Sequence, residues 1–331
     1  MALLIHAGKN PPGYDLLIMV KLIITKMSKR RVLQIFITLI TFFPVLSDAQ
    51  PLEFSKLSGK YLGQNPPGVK PEIFAPGIVS TDMYNHSSIS ISPDGKEIYW
   101  AMGLLDSPRH IYCSRLVNGF WSNPEIVSFT ETEDGDCPIL YHDGNRMLFN
   151  SNRPIKGTNT RRELIWCVEK VNGEWGEPYP VSKEVNAGHL HWQVSVDMDG
   201  NIYFGSERQG TKGRDDIFIS EYIDGTYKEA VSLDGGINSK DHESTPFVSP
   251  DGTYLIFLRD GLQVSFKDEN GKWSESVPLG KAYDGSCPYV SPDGKYLFFL
   301  RMGMGFNDVY WVSAKVINDL KLKYKALEGD H

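Results

Sequence analysis

The sequence predicts an all-β protein made of five repeats of antiparallel strands, and three observations lead to this prediction. Aromatic residues make up 12% of the 331 residues, and 31 Gly and 20 Pro lie among them. Rings that pack on pleated surfaces, separated by turn-forming residues, are typical of β-sheets. Five Asp-Gly turns also recur along the chain, and an Asn-Gly or Asp-Gly hairpin followed by an aromatic residue comes after four of them.

Each repeat contains signals for four strands. An Asp-Gly turn joins an alternating strand to an apolar one, because Gly makes the tight turn sterically cheap. A short apolar segment then predicts a third strand, and the aromatic-capped hairpin leads to a fourth strand such as residues 124–127. The predicted third strands begin at His110, Glu163, Asp216 and Asp308.

Four antiparallel strands per repeat, with turns 42 to 56 residues apart, indicate the blades of a β-propeller. The fifth repeat lacks a fourth strand, and residues 71–80 resemble one. We therefore predict a single propeller of five four-stranded blades, closed into a ring by this N-terminal strand, because closure removes exposed sheet edges. Six blades are the alternative, if residues 51–80 pair differently. Helical spacing occurs only at residues 314–325 of this region.

Three of the five turns share one sequence, Ser-Pro-Asp-Gly, at residues 92–95, 249–252 and 291–294. These turns resemble the PD-type, WD-like repeat of the TolB-like propeller family. Segments 61–68 and 308–312 are also similar to stand-alone, exported members of that family. The resemblance covers residues 58–325 and implies a propeller fold, an exported location and, as one role, that of an envelope scaffold. The other two turns replace Ser-Pro by Tyr141-His142 and Asp197-Met198.

The N-terminal segment has the pattern of an export signal. Three basic residues at 29–31 precede an apolar run at 32–46 and the sequence Ser-Asp-Ala at 47–49. This run is shorter than the roughly 20 apolar residues of a membrane span. We expect a periplasmic or secreted protein with no transmembrane span after cleavage. The predicted organisation is an over-called start at 1–26, a signal peptide at 27–49, an N-terminal extension at 50–70, the propeller at 71–325 and a tail at 326–331.

Charge and motif content exclude several functions. The net charge is −7, and residues 1–50 hold six of the 34 basic residues, so the remainder is more acidic still. Such a surface repels phosphate backbones, and we expect no nucleic-acid partner. The sequence contains no P-loop, nucleophile elbow, zincin motif or dinucleotide fingerprint. We expect a monomer.

The repeat register separates structural residues from functional ones. Four cysteines, at 113, 137, 167 and 287, fall at two pairs of equivalent positions in different blades, too far apart for disulfides. We predict buried free thiols. Residues that recur in most blades are predicted to be structural: the turn residues Asp94, Asp143, Asp199, Asp251 and Asp293, and the post-strand residues Arg153, Arg208, Arg259 and Arg301.

Polar residues that differ between blades precede each innermost strand, at one mouth of the central channel, where propellers bind ligands. The candidate ligand-binding residues are His86, Asp134, Asp136, His191, Trp192, His242, Glu243 and Asp284, with Asn85 and Ser286 beside them. We predict a non-catalytic binding module for a protein, peptide or glycan. The first alternative is a glycoside hydrolase or metal-assisted lyase that uses these histidines and carboxylates. The second alternative is a TolB-like scaffold.

No cofactor is predicted from the sequence. A divalent metal is the alternative, because His and carboxylate side chains converging from five blades suit a transition metal. The acidic run at residues 131–136 would instead offer oxygen ligands to calcium, although it lacks the spacing of an EF-hand loop.

Overall fold

A computed structural model describes most of the chain after residue 56. Its described residues are 57–104, 107–158, 161–302 and 307–328, with the backbone alone at 189–192, 302 and 325–328. The predicted over-called start and signal peptide, at 1–26 and 27–49, lie outside this range.

The described chain forms five larger antiparallel sheets, one separate two-stranded sheet and a C-terminal helix. In chain order the strands are β1 (Glu72–Ile73), β2 (Tyr84–Ile91), β3 (Glu97–Gly103), β4 (His110–Val117), β5 (Phe120–Trp121), β6 (Glu125–Ile126), β7 (Asp136–Leu140), β8 (Arg146–Ser151), β9 (Leu164–Val171), β10 (Glu174–Trp175), β11 (Tyr179–Pro180), β12 (His189–Val196), β13 (Ile202–Glu207), β14 (Asp216–Ser220), β15 (Tyr222–Ile223), β16 (Thr226–Tyr227), β17 (Val231–Ser232), β18 (Ser244–Val248), β19 (Tyr254–Leu258), β20 (Leu262–Phe266), β21 (Val277–Pro278), β22 (Ser286–Val290), β23 (Tyr296–Met302) and β24 (Asn307–Ser313). The helix is α1 (Lys315–Glu328), and short 3₁₀ turns occupy Tyr61–Gly63, Ser128–Thr130 and Lys281–Tyr283.

These strands make the five blades of a propeller. The blades, written from the innermost strand outwards, are β2-β3-β4-β6, β7-β8-β9-β11, β12-β13-β14-β17, β18-β19-β20-β21 and β22-β23-β24-β1. The fold class predicted from the repeats is therefore confirmed, with five blades rather than six. We number the blades 1 to 5 in this order.

The ring closes through the N-terminal strand, as predicted. Strand β1 pairs antiparallel with β24, where Glu72 lies opposite Trp311 and Ile73 opposite Tyr310. The next residue, Phe74, is fully buried, and its ring packs edge-on against Phe298 and Trp311 at centroid distances of 5.1 and 5.2 Å. Burying an aromatic side chain of this size contributes about 1.5–3 kcal/mol, so the closing segment is held by apolar packing as well as by strand pairing.

The Asp-Gly turns are stabilised by side chains inside the turn. Ser92 Oγ accepts the amide N–H groups of Lys96 and Glu97 and donates to Asp94 Oδ1, which also accepts from Lys96. The turns with Asp251 and Asp293 repeat this arrangement. Local bonds of this kind favour turns over regular strands.

The third turn is also stabilised by side-chain hydrogen bonds, but its acceptor is an aspartate instead of a serine. Here Asp197 accepts the amide N–H groups of Asp199 and Asn201 and the side-chain amide of Asn201. Asp197 stands where three of the other turns have Ser, so a longer acceptor replaces the hydroxyl. The side chain of Asp199 is exposed.

Four arginines at equivalent positions make the same contacts in blades 2 to 5. Each guanidinium lies over a phenylalanine of its own second strand and donates to backbone carbonyls in the loop that leads into its blade. The acceptors are Phe129 and Asp134 for Arg153, Glu184 and Val185 for Arg208, Gly236 and Ile237 for Arg259, and Ala282 and Asp284 for Arg301. These contacts attach each loop to its blade.

The third strand of blade 4, Leu262–Phe266, was not predicted from the sequence. A tight turn at Asp260-Gly261, with φ of 48° and 96°, brings this strand directly after the second strand of the blade. All four cysteines are buried and unbridged, in agreement with the register argument.

Within the described ranges, no helix has the length and apolar character needed to span a membrane.

Candidate binding site at the channel mouth

The mouth is built from the first residues of the innermost strands, and each of these strands contains a bulge there. The register against the second strand shifts in all five blades, for example between Asp136 and Ile139. In three blades the bulged residue has positive φ and precedes a proline: Cys137, Thr245 and Cys287, at 51°, 47° and 51°. Bulges re-aim the adjacent side chains, which is why they recur beside binding sites.

One side chain bridges three blades just inside the mouth. Gln193 of blade 3 is buried, and its Nε2 donates to the carbonyl of Pro288 in blade 5 at 2.6 Å and to that of Pro246 in blade 4 at 3.5 Å. A buried amide that bonds across the channel narrows the path through the ring.

An arginine joins blades 1 and 2 at the mouth. Arg109 lies between β3 and β4, and its NH1 is 2.9 Å from Asp136 Oδ2, while its NH2 is 3.6 Å from Asp134 Oδ2. The same NH1 is 3.3 Å from His86 Nδ1. Both carboxylates are buried and Arg109 is about one-quarter exposed. The structure thus brings three predicted residues, His86, Asp134 and Asp136, into contact around one guanidinium.

The two carboxylates are already engaged by their own chain. Asp136 Oδ1 accepts the N–H of Cys137 at 2.8 Å, and its other oxygen faces Arg109. Asp134 Oδ1 accepts the N–H of Asn152 at 3.1 Å and the hydroxyl of Ser151 at 3.3 Å. Buried carboxylates with these donors and a guanidinium are anchors for Arg109. A carboxylate used as a nucleophile or general base needs an oxygen that faces the substrate.

His86 is held as a neutral hydrogen-bond donor. Burial lowers the pKa of His86 below its ordinary value; the Arg109 guanidinium acts in the same direction, and the Asp136 carboxylate opposes both. Arg109 can only donate, so we infer that His86 Nδ1 is the acceptor and that the proton lies on Nε2. The side chain is about one-quarter exposed. His86 can therefore offer an Nε2–H to a ligand.

A second histidine at the mouth is held by a different carboxylate. His242 Nδ1 lies 2.6 Å from Asp215 Oδ2; Asp215 is buried, and the His242 side chain is about one-third exposed. Asp215 precedes β14 in blade 3, and its carbonyl accepts the N–H of Glu243. A carboxylate at Nδ1 orients an imidazole and leaves Nε2 for another partner.

The remaining predicted residues occupy other environments. Glu243 is fully buried, where it accepts from the hydroxyl and amide of Ser239 and lies 3.7 Å from Arg259. Asp284 is exposed, and its carbonyl rather than its carboxylate accepts from Arg301. His191 and Trp192 belong to β12, and their side chains lie outside the described part of the structure.

Sequence reasoning missed Arg109 and Asp215, although the repeats contain a signal for both. Each lies directly before the third strand of its blade and reaches the mouth loop of the next blade. Asn307, the first residue of β24, occupies the equivalent position of the repeat in blade 5 and exchanges hydrogen bonds with Asn85 of blade 1. The three blades thus have different residues, Arg109, Asp215 and Asn307, at the start of the third strand, and each contacts the mouth segment of the next blade.

The acidic run at residues 131–136 faces arginines. Arg109 contacts Asp134 and Asp136, and Arg161 forms a bidentate contact with Glu133 at 2.9 and 3.3 Å. Three carboxylates of this run are therefore paired with guanidinium groups, whereas a calcium site needs several oxygen ligands that converge on one point. Among the side chains that the structure describes, no three His, Cys, Asp or Glu are grouped so as to hold a metal ion.

Solved propellers are similar to this chain at low identity. TolB from Acinetobacter baumannii is 19% identical with a TM-score of 0.45, over 68% of this chain and 53% of that one. TolB from Agrobacterium tumefaciens is 17% identical with a TM-score of 0.47, over 70% and 78%. An α-L-arabinofuranosidase from Lactobacillus brevis is 14% identical with a TM-score of 0.46, over 70% and 89%.

The chain thus spans about half the length of the Acinetobacter TolB. No protein-family model and no curated protein matches the chain. By its strand order, pairing and closure the chain is a five-bladed β-propeller, and among solved structures it is similar to the TolB-like propellers.

Proposed function

We propose that this propeller is a non-catalytic binding module, which holds a protein, peptide or glycan ligand at the channel mouth between blades 1 and 2. The observation that carries the proposal is the contact of Arg109 with His86 and with two buried carboxylates. Fixed hydrogen-bond donors on a rigid scaffold suit recognition, because little order is lost when a ligand binds.

The ligand group at this site is expected to be a hydrogen-bond acceptor. Neutral His86 presents its Nε2–H, and the exposed part of Arg109 adds positive charge beside it. A carbonyl or carboxylate oxygen meets both requirements. The carboxylates of Asp134 and Asp136 are bound by their own chain, which supports binding rather than catalysis at this position.

The test is a binding screen with matched variants. Full-length protein is screened against peptides with free carboxyl termini and against neutral and acidic oligosaccharides, and hits are measured by calorimetry. His86→Ala removes the proposed donor and should weaken binding about tenfold, the usual effect of one lost hydrogen bond in a buried site. Phe120→Ala alters an exposed aromatic residue on another part of blade 1 and should leave the affinity unchanged.

A second candidate function rests on the contact between Asp215 and His242. An imidazole oriented by a buried carboxylate is the arrangement of a general base, and His242 is accessible at the mouth. In this alternative the propeller is a hydrolase. Product formation from chromogenic glycosides or esters, abolished by His242→Ala, would favour the hydrolase over the binding module.

We also propose that the protein acts outside the cytoplasm. The proposal rests on the charged, apolar and small-residue pattern at residues 29–49. N-terminal sequencing of the protein from the host or a bacterial host should give Gln50 as the first residue. Recovery of an uncleaved chain in the cytoplasmic fraction would reject this proposal.

A further inference from the structure

Neighbouring blades contact each other at the mouth through two repeat positions. One is the start of a third strand, and the other lies nine residues before the Asp of the next turn. Between blades 3 and 4 these positions hold Asp215 and His242, whose Oδ2 and Nδ1 atoms are 2.6 Å apart. A backbone bridge joins the same two residues. The pair shows which side chains would meet at the equivalent point of another boundary.

The boundary between blades 4 and 5 lacks one side chain of this pair. Gly261 stands at the register of Asp215 in the pairing of the second and third strands. Asp284 stands where His242 does, nine residues before the Asp of the next turn. A Cβ atom on Gly261 would lie 3.3 Å from Asp284 Oδ1, so a larger residue would contact the carboxylate. Glycine, which suits the φ of 96° in this tight turn, leaves a gap beside Asp284.

The carboxylate of Asp284 forms no hydrogen bond or ion pair in the described part of the chain. It is exposed, and Arg301 donates to the backbone carbonyl groups of Asp284 and Ala282 instead of to the carboxylate. At the same repeat position in blade 2, Asp134 is buried, accepts an N–H of its own chain and faces Arg109. Asp284 is therefore an acidic residue of the mouth that stays open to a ligand.

We propose that Asp284 binds a primary ammonium group, and that the ligand of the mouth is a peptide with a lysine side chain. This proposal rests on the binding function proposed for the mouth. An ammonium group has three N–H donors and a positive charge, so it suits an exposed carboxylate without a partner. The gap left by Gly261 gives the lysine side chain room to approach Asp284.

The contacts between blades 1 and 2 favour a peptide over an oligosaccharide. His86 and the exposed part of Arg109 suit a carbonyl or carboxylate oxygen. A peptide with a lysine and a free carboxyl terminus carries both an ammonium group and a carboxylate. An oligomer of glucosamine carries only the cation, and an oligomer of a uronic acid carries only the anion, which Asp284 would repel. Groups of opposite charge at two places in the mouth therefore match a peptide.

Calorimetric titration of the full chain with paired peptides tests the proposal. The peptides are acetylated alanine hexapeptides with a free carboxyl terminus, in which each interior residue in turn is lysine or norleucine. We expect at least one lysine peptide to bind about fivefold more tightly than its norleucine counterpart, as for a partly exposed charged hydrogen bond. Asp284→Asn keeps the shape but not the charge and should reduce that affinity to the level of the norleucine peptide. Asp199→Asn, the matched control, removes an exposed charge in the third turn and should have no effect.

The variant His86→Ala separates this proposal from the function of the mouth. It should weaken the lysine and norleucine peptides alike, because it acts on the carboxylate. Equal affinities of the two peptides, both lowered by His86→Ala, would overturn the role of Asp284 and leave the binding function standing. A lysine preference that Asp284→Asn removes and His86→Ala does not affect would support Asp284 and reject the site between blades 1 and 2.

Two further outcomes would overturn the assignment of a lysine peptide. One is the absence of binding by every peptide of the series. The other is a glucosamine hexamer that binds as tightly as the best lysine peptide, since the ammonium group would then be recognised on a sugar.

Discussion

Arg109 of blade 1 contacts Asp136 of blade 2 through NH1 and Oδ2 at 2.9 Å, and this ion pair joins two blades at the channel mouth. The same guanidinium reaches Asp134, and His86 lies against it. Arg109 thus contacts Asp134, Asp136 and His86. It therefore links the stability of the blade boundary to the geometry of the proposed binding site.

Removal of Arg109 is expected to be strongly destabilising. Arg109→Met would leave two buried carboxylates without their counter-charge, at a cost of about 3 kcal/mol in the free energy of unfolding. Arg115→Met is the matched control, since Arg115 pairs with Glu97 in a more exposed position and should cost less than about 1 kcal/mol. Urea denaturation measures both; equal losses in the two variants would contradict the role given to Arg109.

Stability should depend on pH through His86. The pKa of His86 is lowered in the folded state, so the unfolded chain binds a proton more readily between the unfolded and folded pKa values. The contribution of His86 to the free energy of unfolding is complete above its unfolded pKa of about 6.5 and is lost as the pH falls below that value. His86→Gln should therefore lose less stability than the unaltered chain between pH 7.5 and pH 5.

Nuclear magnetic resonance gives an independent check of His86. Its ring protons should titrate with a midpoint below that of an exposed histidine, and Nε2 should carry the proton in the neutral form. A midpoint above 6.5 would mean that attraction to Asp136 outweighs burial and the repulsion from Arg109, contrary to the balance described here.

Ring closure should depend on the packing of Phe74. Phe74→Ala removes a fully buried ring from the contact with Phe298 and Trp311 and should cost about 3–5 kcal/mol. Val69→Ala, in the exposed part of the same N-terminal segment, should change stability by less than about 0.5 kcal/mol. Thermal unfolding compares the two, and similar melting temperatures would argue that closure contributes little.

The third turn offers a sharp comparison of two neighbouring aspartates. Asp197→Ala removes the acceptor of four hydrogen bonds and should cost about 1 kcal/mol or more, whereas Asp199→Ala should be close to neutral. In the fourth turn the equivalent of Asp199 is Asp251. Unlike Asp199, Asp251 is itself a side-chain acceptor, since it accepts hydrogen bonds from Ser249 and Thr253. Asp251→Ala should therefore cost more than Asp199→Ala. Denaturant unfolding of Asp197→Ala, Asp199→Ala and Asp251→Ala compares the three losses, and an Asp199→Ala loss as large as the other two would contradict the assignment.

The sequence predicted the fold well because the repeats state the same pattern five times. Period, turn chemistry and the missing fourth strand together predicted five blades and a closing strand within residues 71–80, and the structure has that strand at Glu72–Ile73. The third strand of blade 4 escaped because its turn is only two residues long. Similarly, nothing in a linear pattern distinguishes Asp197 from Asp199 as the acceptor in the third turn.

The site was predicted less completely, since it depends on contacts between blades. His86, Asp134 and Asp136 were selected because they lie where the innermost strands enter from their loops, and their role in ligand binding stays a prediction. Arg109 and Asp215 lie on other strands, and only the packing of neighbouring blades brings them to the mouth. The burial of Glu243 could not be read from its position, because Ser239 and Arg259 enclose it from separate segments.

Binding without catalysis at the channel mouth is tested by measuring affinity and turnover on the same panel of peptides and oligosaccharides. We expect a ligand whose affinity falls about tenfold in His86→Ala and is unchanged in Phe120→Ala, and which is recovered chemically intact after prolonged incubation. Product that the unaltered chain forms and His242→Ala does not form would contradict the claim and identify an enzyme.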